Sequence, residues 1–501
     1  MKLKRKRVKP IALDDVTIID DSRLRKVITA AALGNAMEWF DFGVYGFVAY
    51  ALGQVFFPGA DPGVQMIAAL ATFSVPFLIR PLGGVFFGAL GDKYGRQKIL
   101  AVTIIIMSIS TFCIGLIPSY ERIGIWAPIL LLLAKMAQGF SVGGEYTGAS
   151  IFVAEYSPDR KRGFMGSWLD FGSIAGFVLG AGVVVLISTL VGEQAFLEWG
   201  WRLPFFLALP LGIIGLYLRH ALEETPAFQQ HVNKREQDAR DGLKTGPGVS
   251  FRHIATHHWK SLLVCIGLVI ATNVTYYMLL TYMPSYLSHN LHYSENHGVL
   301  IIIAIMIGML FVQPMIGLLS DRFGRKPFVI IGSIALFVLA VPSFMLINSN
   351  IIGLIFAGLL LLAVILNAFT GVMASTLPAL FPTSIRYSAL ASAFNISVLI
   401  AGLTPTVAAW LVESSRNLYM PAYYLMVIAI IGLLTGLFMK ETANKPLKGA
   451  TPAASDLSEA KAILREHHDG IEQKIDELAR QIAELEEKRK LLIAQHPRIT
   501  G

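Results

Sequence analysis

Six charged residues stand inside long apolar runs: Glu38, Asp41, Arg80, Lys135, Glu145 and Asp170. A charge at the centre of a bilayer costs at least about 2.5 kcal/mol on insertion scales, so one that is kept there marks function. Four acids face two bases. That surplus leaves carboxyl groups able to take up and release a proton, as a proton-coupled carrier requires. Glu38 and Asp41 are three residues apart and share one face of a helix. Glu38, Asp41 and Glu145 are therefore expected to form a proton path, with Asp170 a further member nearer the end of its run. Arg80 and Lys135 are the expected counter-charges. For each of the six, a structural interhelical pair is the alternative. No metal site is expected: His253 and His257 are four apart, but no further ligand set accompanies them. No cofactor is expected either, the proton being the coupling ion.

The elements that must hold these charges fill most of the chain. Of 501 residues, 54% are hydrophobic and 15% charged, against about 25% charged in soluble domains. With a mean hydropathy of +0.59, this excludes a soluble enzyme. Segments 1–26, 219–260 and 441–501 carry 46 of the 76 charges. Elsewhere, apolar runs of about 20 residues recur twelve times. They cover 28–52, 64–90, 99–118, 124–150, 165–191, 203–218, 261–287, 297–319, 328–347, 351–377, 388–412 and 421–439. The expected fold is an all-α membrane protein with twelve transmembrane helices and a C-terminal coiled-coil helix.

Eleven Lys/Arg lie on one set of short connections, counting Lys440, and three on the other. By the positive-inside rule both termini and the 219–260 segment are cytoplasmic. The net charge of +8 reflects this bias rather than nucleic-acid binding. The basic run Lys4-Arg5-Lys6-Arg7 precedes a retained first helix and suits contact with anionic lipid. Cys113 and Cys265 lie in apolar runs and read as buried thiols, not a disulfide framework.

An internal repeat divides the chain. Gly88-Ala-Leu-Gly-Asp92-Lys-Tyr-Gly95-Arg96 matches Gly317-Leu-Leu-Ser-Asp321-Arg-Phe-Gly324-Arg325 at an offset of 229. Pro158-Asp-Arg-Lys-Arg162 matches Pro382-Thr-Ser-Ile-Arg386 at 224. The expected organisation is a basic N-terminus (1–27), a first six-helix bundle (28–218), a linker (219–260), a second six-helix bundle (261–440), a short linker (441–455) and a coiled coil (456–496). Parallel halves of this kind place a substrate site at their interface near the midplane. In both motif copies an aspartate and an arginine four apart face one another across a glycine turn. A charge-assisted bond there could hold helices together in one conformation and release them in the other.

These residues resemble the major facilitator superfamily, whose signature loop joins helices 2–3 and 8–9. Glu38-Trp39-Phe40-Asp41-Phe42 and Gln138-Gly139-Phe140-Ser141-Val142-Gly143-Gly144-Glu145 are similar to its metabolite:H+ symporter branch. One departure is Lys135, standing where that branch usually has arginine; lysine keeps the charge but loses the planar fork. Tail included, the chain resembles the bacterial osmosensory proline/betaine transporters. That resemblance implies a proton symporter of the inner membrane. It would import proline, glycine betaine and related zwitterionic osmolytes at high osmolality, by alternating access between the halves. A membrane osmosensor signalling through its tail without carrying solute is the rival reading. With neither a Gly-x-x-x-x-Gly-Lys-Ser/Thr loop nor a His-Glu-x-x-His motif, an ATP-driven pump or an enzyme is not expected.

For such a solute, a quaternary ammonium donates no hydrogen bond but is drawn to aromatic faces by roughly 2 kcal/mol when desolvated. Candidate rings are Trp39, Phe42, Tyr45, Trp168, Tyr276, Tyr277 and Tyr282. Arg80 or Lys135 could meet the carboxylate, and the residue pattern does not choose between them. In the tail, Leu457, Leu464, Ile471, Leu478, Leu485 and Leu492 recur every seven residues, with Lys461, His468, Ile475, Ile482 and Arg489 at the complementary core positions. Three of those five are polar, so the coil is weak and suited to homodimerisation, or docking, that tunes transport. Asp456-Leu-Ser-Glu459 is placed to cap its start.

Overall fold

The computed structural model describes residues 12–13, 16–94, 96–220, 256–293, 295–383 and 385–495. They divide into two units, Ser22–Ala450 and the combination of Met1–Asp21 with Thr451–Gly501.

The larger unit is a helical bundle. Its first half holds α1 (Asp21–Phe56), α2 (Pro62–Tyr94), α3 (Arg96–Leu116), α4 (Tyr120–Ile123), α5 (Trp126–Ser141), α6 (Glu145–Glu155), α7 (Arg162–Val191), α8 (Glu193–Glu198), α9 (Leu203–Phe206) and α10 (Ala208–His220). Its second half holds α11 (Trp259–Tyr277), α12 (Met283–His289), α13 (Glu295–Phe323), α14 (Lys326–Ile347), α15 (Ile352–Thr376), α16 (Arg386–Ala401), α17 (Thr404–Ser415) and α18 (Met420–Phe438). Among the described residues, nine helical segments are long and apolar enough to cross a membrane, and Val102–Leu116 and Gly200–Gly215 are shorter apolar helices. The acid-bearing α1 accounts for the remaining expected run. Helix is what such sequences must form, since lipid offers no partner to a free backbone N–H or C=O. Several helices begin with proline in the first turn, where its missing N–H is harmless.

Besides 203–218, which steps from α9 to α10 at Leu207, three expected runs are not continuous α-helix. The run 124–150 breaks between α5 and α6, because α2 passes so close that a Cβ on Gly143 would lie 2.5 Å from Arg80 O. The run 388–412 breaks after Gly402, where the Phe77 ring wedges in at 2.3 Å from where a Cβ would stand. Each break exposes a carbonyl, and the opposite half satisfies it. Asn395 Nδ2 donates to Gly143 O at 2.8 Å, and Ser74 Oγ to Gly402 O at 2.7 Å. In the third, α11 continues into α12 through a buried π-helical turn, Met278–Tyr282. The halves meet where α7 packs on α13 and α15, and α2 on α16 and α17.

Other expectations need correction. The first helix starts at Asp21 rather than 28. Cys113 is exposed on the outside of α3, whereas Cys265 is buried. The 441–455 stretch is not a free linker, since up to Ala450 it belongs to the bundle. Glu441 accepts the backbone N–H groups of Arg325 and Lys326 at 3.0 Å each, and those of Thr442 and Ala443 at 2.8 Å each. Lys445 O accepts from Arg162 Nη1 at 2.9 Å, and Leu447 packs with Ala154 and Ala379. A polar composition reads as a linker, but here the polar groups cap helix ends. Of the 219–260 segment, residues 221–255 lie outside the described residues.

The smaller unit contains one departure from all-α structure: β1 (Thr17–Ile18) pairs in parallel with β2 (Ala453–Ala454). It also holds α19 (Leu457–Gln495). Asp456 Oδ1 accepts the Glu459 N–H at 2.8 Å and Glu459 reaches back to Ser455 N at 2.7 Å, a capping pair at the expected place. Leu464 packs against Val16, Ala454 and Ala460. Leu457, Ile475, Leu478, Ile482, Leu485, Arg489 and Leu492 are exposed, and the Ile471 side chain lies outside the described set.

Candidate functional site

All six intramembrane charges fall in the first half, on α1, α2, α5, α6 and α7. Glu38 and Asp41 stand one turn apart on α1 but have different partners. Arg80 Nη2 donates to Glu38 Oε1 at 3.2 Å, the two side chains being 4% and 1% exposed. Removing one partner of such a buried pair costs about 3–5 kcal/mol. Asp41 Oδ2 accepts from Thr111 Oγ1 of α3 at 3.0 Å. Thr111 in turn accepts from Gln138 Nε2 at 3.1 Å, and Gln138 Oε1 accepts from Lys135 Nζ at 2.6 Å. Lys135 is fully buried, its ammonium 4.3 Å from the centre of the Tyr45 ring, 5.3 Å from Phe42 and 5.8 Å from Phe73. Those ring faces and the amide offset part of the cost of desolvating a lysine.

Glu145 opens α6 just past the helix break. It lines a narrow cleft with Asp41, Met37, Met107 and Leu211, with room for about one water. On α7, both Asp170 oxygens lie 3.1 Å from the Tyr146 hydroxyl that donates to them. The Tyr146 ring stacks on Phe394 of the second half at 5.0 Å, and the Arg80 guanidinium sits 5.8 Å from the same Phe394 ring.

The candidate rings separate into groups. Trp39 lies 5.2 Å from Tyr276 and 6.1 Å from Tyr277, joining the two halves. Phe42 stacks on Phe77 at 5.5 Å, and Phe77 touches Tyr277 at 5.2 Å. Phe177 closes the group, 5.6 Å from Trp39 and 5.4 Å from Tyr276. Trp39 is fixed by its Nε1–H bond to Asn35 Oδ1, and Asn35 Nδ2 donates to Leu169 O and Ser173 Oγ on α7. The hydroxyls of Tyr276, Tyr277, Thr281 and Tyr282 are buried without a hydrogen-bond partner among the described residues. Buried polar groups of this kind are rare and call for an explanation. Tyr45 belongs instead to the Lys135 surround, and Tyr282 packs on Tyr286 at 5.7 Å. Trp168 is not part of the group; it lies on another face of α7 between Phe164 and Phe171.

Of the duplicated motif, the second copy is described; the side chains of Gly88, Asp92, Gly95 and Arg96 lie outside the described residues. Asp321 sits 3.6 Å from Arg325, a loose pairing. Its stronger bonds cross to the other half: Oδ1 and Oδ2 accept the Gly163 and Phe164 N–H groups at 2.7 and 2.8 Å. A carboxylate on the first turn of α7 is favoured by the free amides and the helix dipole. Gly317 permits this closeness, since a Cβ there would stand 2.5 Å from Ser167 Oγ. Gly324 is required by its φ of +93° and by Glu441. Arg325 donates to Ser375 O and to Thr442. Arg386 Nη1 donates to Glu155 Oε1 at 2.6 Å, a second link between the halves at this end.

The residue pattern does not single out Thr111, Tyr146, Phe73, Phe77 or Phe177. Gln138 stands in a quoted motif, yet its bridging place needs the α3–α5 packing. Among the described residues no cluster of His, Cys, Asp and Glu could hold a metal.

Residues 27–454 match the sugar (and other) transporter family, and 455–500 match the osmosensory transporter coiled coil. A glycine betaine/proline/ectoine/pipecolic acid transporter of Dickeya dadantii is 92% identical over 100% of both chains. A proline/betaine transporter of Salmonella typhimurium is 85% identical over 99% of both. A proton:xylose symporter of the major facilitator superfamily, solved with 6-bromo-6-deoxy-D-glucose bound, superposes with a TM-score of 0.68 at 19% identity. The match covers 88% of this chain and 99% of that one. The chain belongs to the sugar (and other) transporter family and has the major facilitator fold, with multiple membrane spans and a coiled-coil tail.

Proposed function

We propose that this member of the sugar (and other) transporter family is a proton-coupled importer of small zwitterionic osmolytes, activated by high osmolality. Glycine betaine, proline and ectoine are the solutes named for its relative of 92% identity. The observation that carries the reading is a ring cluster shared by both halves, with unused hydroxyls in its wall. Trp39, Phe42, Phe177, Tyr276 and Tyr277 offer faces to a quaternary or secondary ammonium. The Tyr276 and Tyr277 hydroxyls, without a hydrogen-bond partner among the described residues, are donors for a carboxylate. Arg80, paired with Glu38, meets the second half through the Phe394 ring. Lys135 faces Asp41 through neutral groups and serves the proton side.

In this reading Asp41 and Glu145 take the proton from the cleft they share, and Glu38 and Asp170 are held by Arg80 and Tyr146. Asp321 and Arg386 join the halves at one end of the interface, and Asn395 and Ser74 join them at the helix breaks. Moving the halves apart on one side and together on the other carries the solute across. The basic bias of the connections supports a cytoplasmic placement of both termini in a bacterial inner membrane. The exposed heptad stripe of α19 supports pairing with a second copy.

The test is uptake of labelled glycine betaine and proline into proteoliposomes, with an imposed pH gradient and varied osmolality. Accumulation that needs both the gradient and high osmolality is expected. Uptake indifferent to the gradient overturns proton coupling, and no movement of either solute overturns the transport reading.

A further inference from the structure

We infer that the Thr111 hydroxyl is a two-position hydrogen-bond switch that relays the protonation state of Asp41 to Lys135, with Thr111 and Gln138 as positioning residues for coupling. This rests on the proton-coupled reading above.

The bonds themselves impose a direction. Lysine can only donate, so Lys135 must meet the oxygen of the Gln138 amide, 2.6 Å away. That turns the Gln138 NH2 group to Thr111 Oγ1 at 3.1 Å. Thr111 accepts this bond and has one proton left to give. Two acceptors lie at the same distance: Asp41 Oδ2 and Met107 O, both at 3.0 Å. Ionised Asp41 can only accept, so it takes the hydroxyl proton. When a hydronium ion in the cleft gives its proton to Asp41 Oδ2, water is released and the new O–H becomes a donor. Thr111 accepts it on its second lone pair and turns its own proton to Met107 O. No other covalent bond changes. The run of donors from Lys135 to Asp41 is then reversed at its last link. Lys135 has lost its hydrogen-bonded path to a negative charge and keeps only the amide and the ring faces of Tyr45, Phe42 and Phe73.

The charged groups around Asp41 are few. Glu38 stands on the same helix and is engaged by Arg80 of α2. Lys135 faces it from α5, and Glu145 across the cleft from α6. Helix α3 contributes Thr111, and α10 contributes Ala208, Leu211 and Gly212 to the cleft. A two-acceptor hydroxyl between the acid and the base is thus the group placed to sense both.

The test uses the full chain in proteoliposomes and two readouts for each variant: glycine betaine uptake driven by a pH gradient, and exchange of labelled for unlabelled betaine at equal pH. Thr111→Val keeps the shape and removes the hydroxyl. Its ratio of driven uptake to exchange is expected to fall about tenfold, as loss of a buried bond to a charged group predicts. Thr111→Ser restores the ratio, and Gln138→Leu lowers it as Thr111→Val does. A wild-type ratio and pH profile in Thr111→Val overturns the switch. If Asp41→Asn also keeps the wild-type ratio, the proton reading itself falls. Should Thr111→Val fail to reach the membrane, Thr111→Ala against Thr111→Ser decides by the same ratio.

Discussion

The two halves of the bundle share a topology and differ in what they bury. Between its helices the first half holds Glu38, Asp41, Arg80, Lys135, Glu145 and Asp170. Within its own apolar runs the second half buries neutral groups: Asn273, Gln313, Asn367, Thr370 and Asn395. Two of these amides bond within the half: Gln313 accepts from Thr370 at 2.7 Å and Asn367 donates to Met309 O at 3.2 Å. Duplication therefore supplied a scaffold, and ionisable chemistry was placed in one copy of it. A neutral amide cannot change charge with pH. These amides can answer a proton only through contacts with the first half. Phe394, set between the Arg80 guanidinium and the Tyr146 ring, and Asn395 on Gly143 O are two such contacts.

The comparison breaks first, and hardest, at the Arg80–Glu38 pair. Arg80→Met leaves a carboxylate buried without its base and is expected to cost about 3–5 kcal/mol, with uptake lost. Thermal unfolding in detergent reads this, and adding Glu38→Gln should recover part of it. In the second half, Gln313→Leu removes one neutral bond and is expected to cost only about 1–2 kcal/mol. If the two variants cost the same, the asymmetry between the halves is not energetic. A smaller effect is expected at the shared wall. Tyr277→Phe removes a hydroxyl that has no hydrogen-bond partner among the described residues, so stability should hold or rise. The KM for betaine should increase about threefold to tenfold with little change in kcat, if the hydroxyl contributes mainly to binding. An unchanged KM removes Tyr277 from the solute site.

What the residue pattern reveals follows from the same asymmetry. A charge in an apolar run is conspicuous, so all six were legible, as were the helices and the duplicated turn. Thr111 was not, because Ser108 and Ser110 beside it are chemically alike and only packing chooses among them. Trp39 and Trp168 each lie near an acid, and spacing cannot say which ring meets the other half. The breaks at Gly143 and Gly402 are set by Arg80 O and Phe77, residues distant in the chain. The 441–450 stretch looked like a linker because the partners that tie it to the bundle are helix ends more than sixty residues away in the chain.

The smallest expected effect concerns that stretch, where a charged residue serves the second half structurally. Burial pushes the Glu441 carboxyl up, but the backbone N–H groups of Arg325, Ala443, Lys326 and Thr442 outweigh it and hold the group below its ordinary 4.5. A carboxyl with a depressed folded-state pKa adds stability that is present above its unfolded value. That stability is lost as pH falls through the folded value. The native protein should therefore exceed Glu441→Gln in melting temperature near neutral pH, and the gap should close as pH drops below 4.5. Glu441 is only half-buried, so screening trims the gap to about 1 °C. A gap that persists unchanged at low pH would assign the contribution to shape rather than charge. A charge at the rim would then act no differently from the neutral amides deeper in the same half.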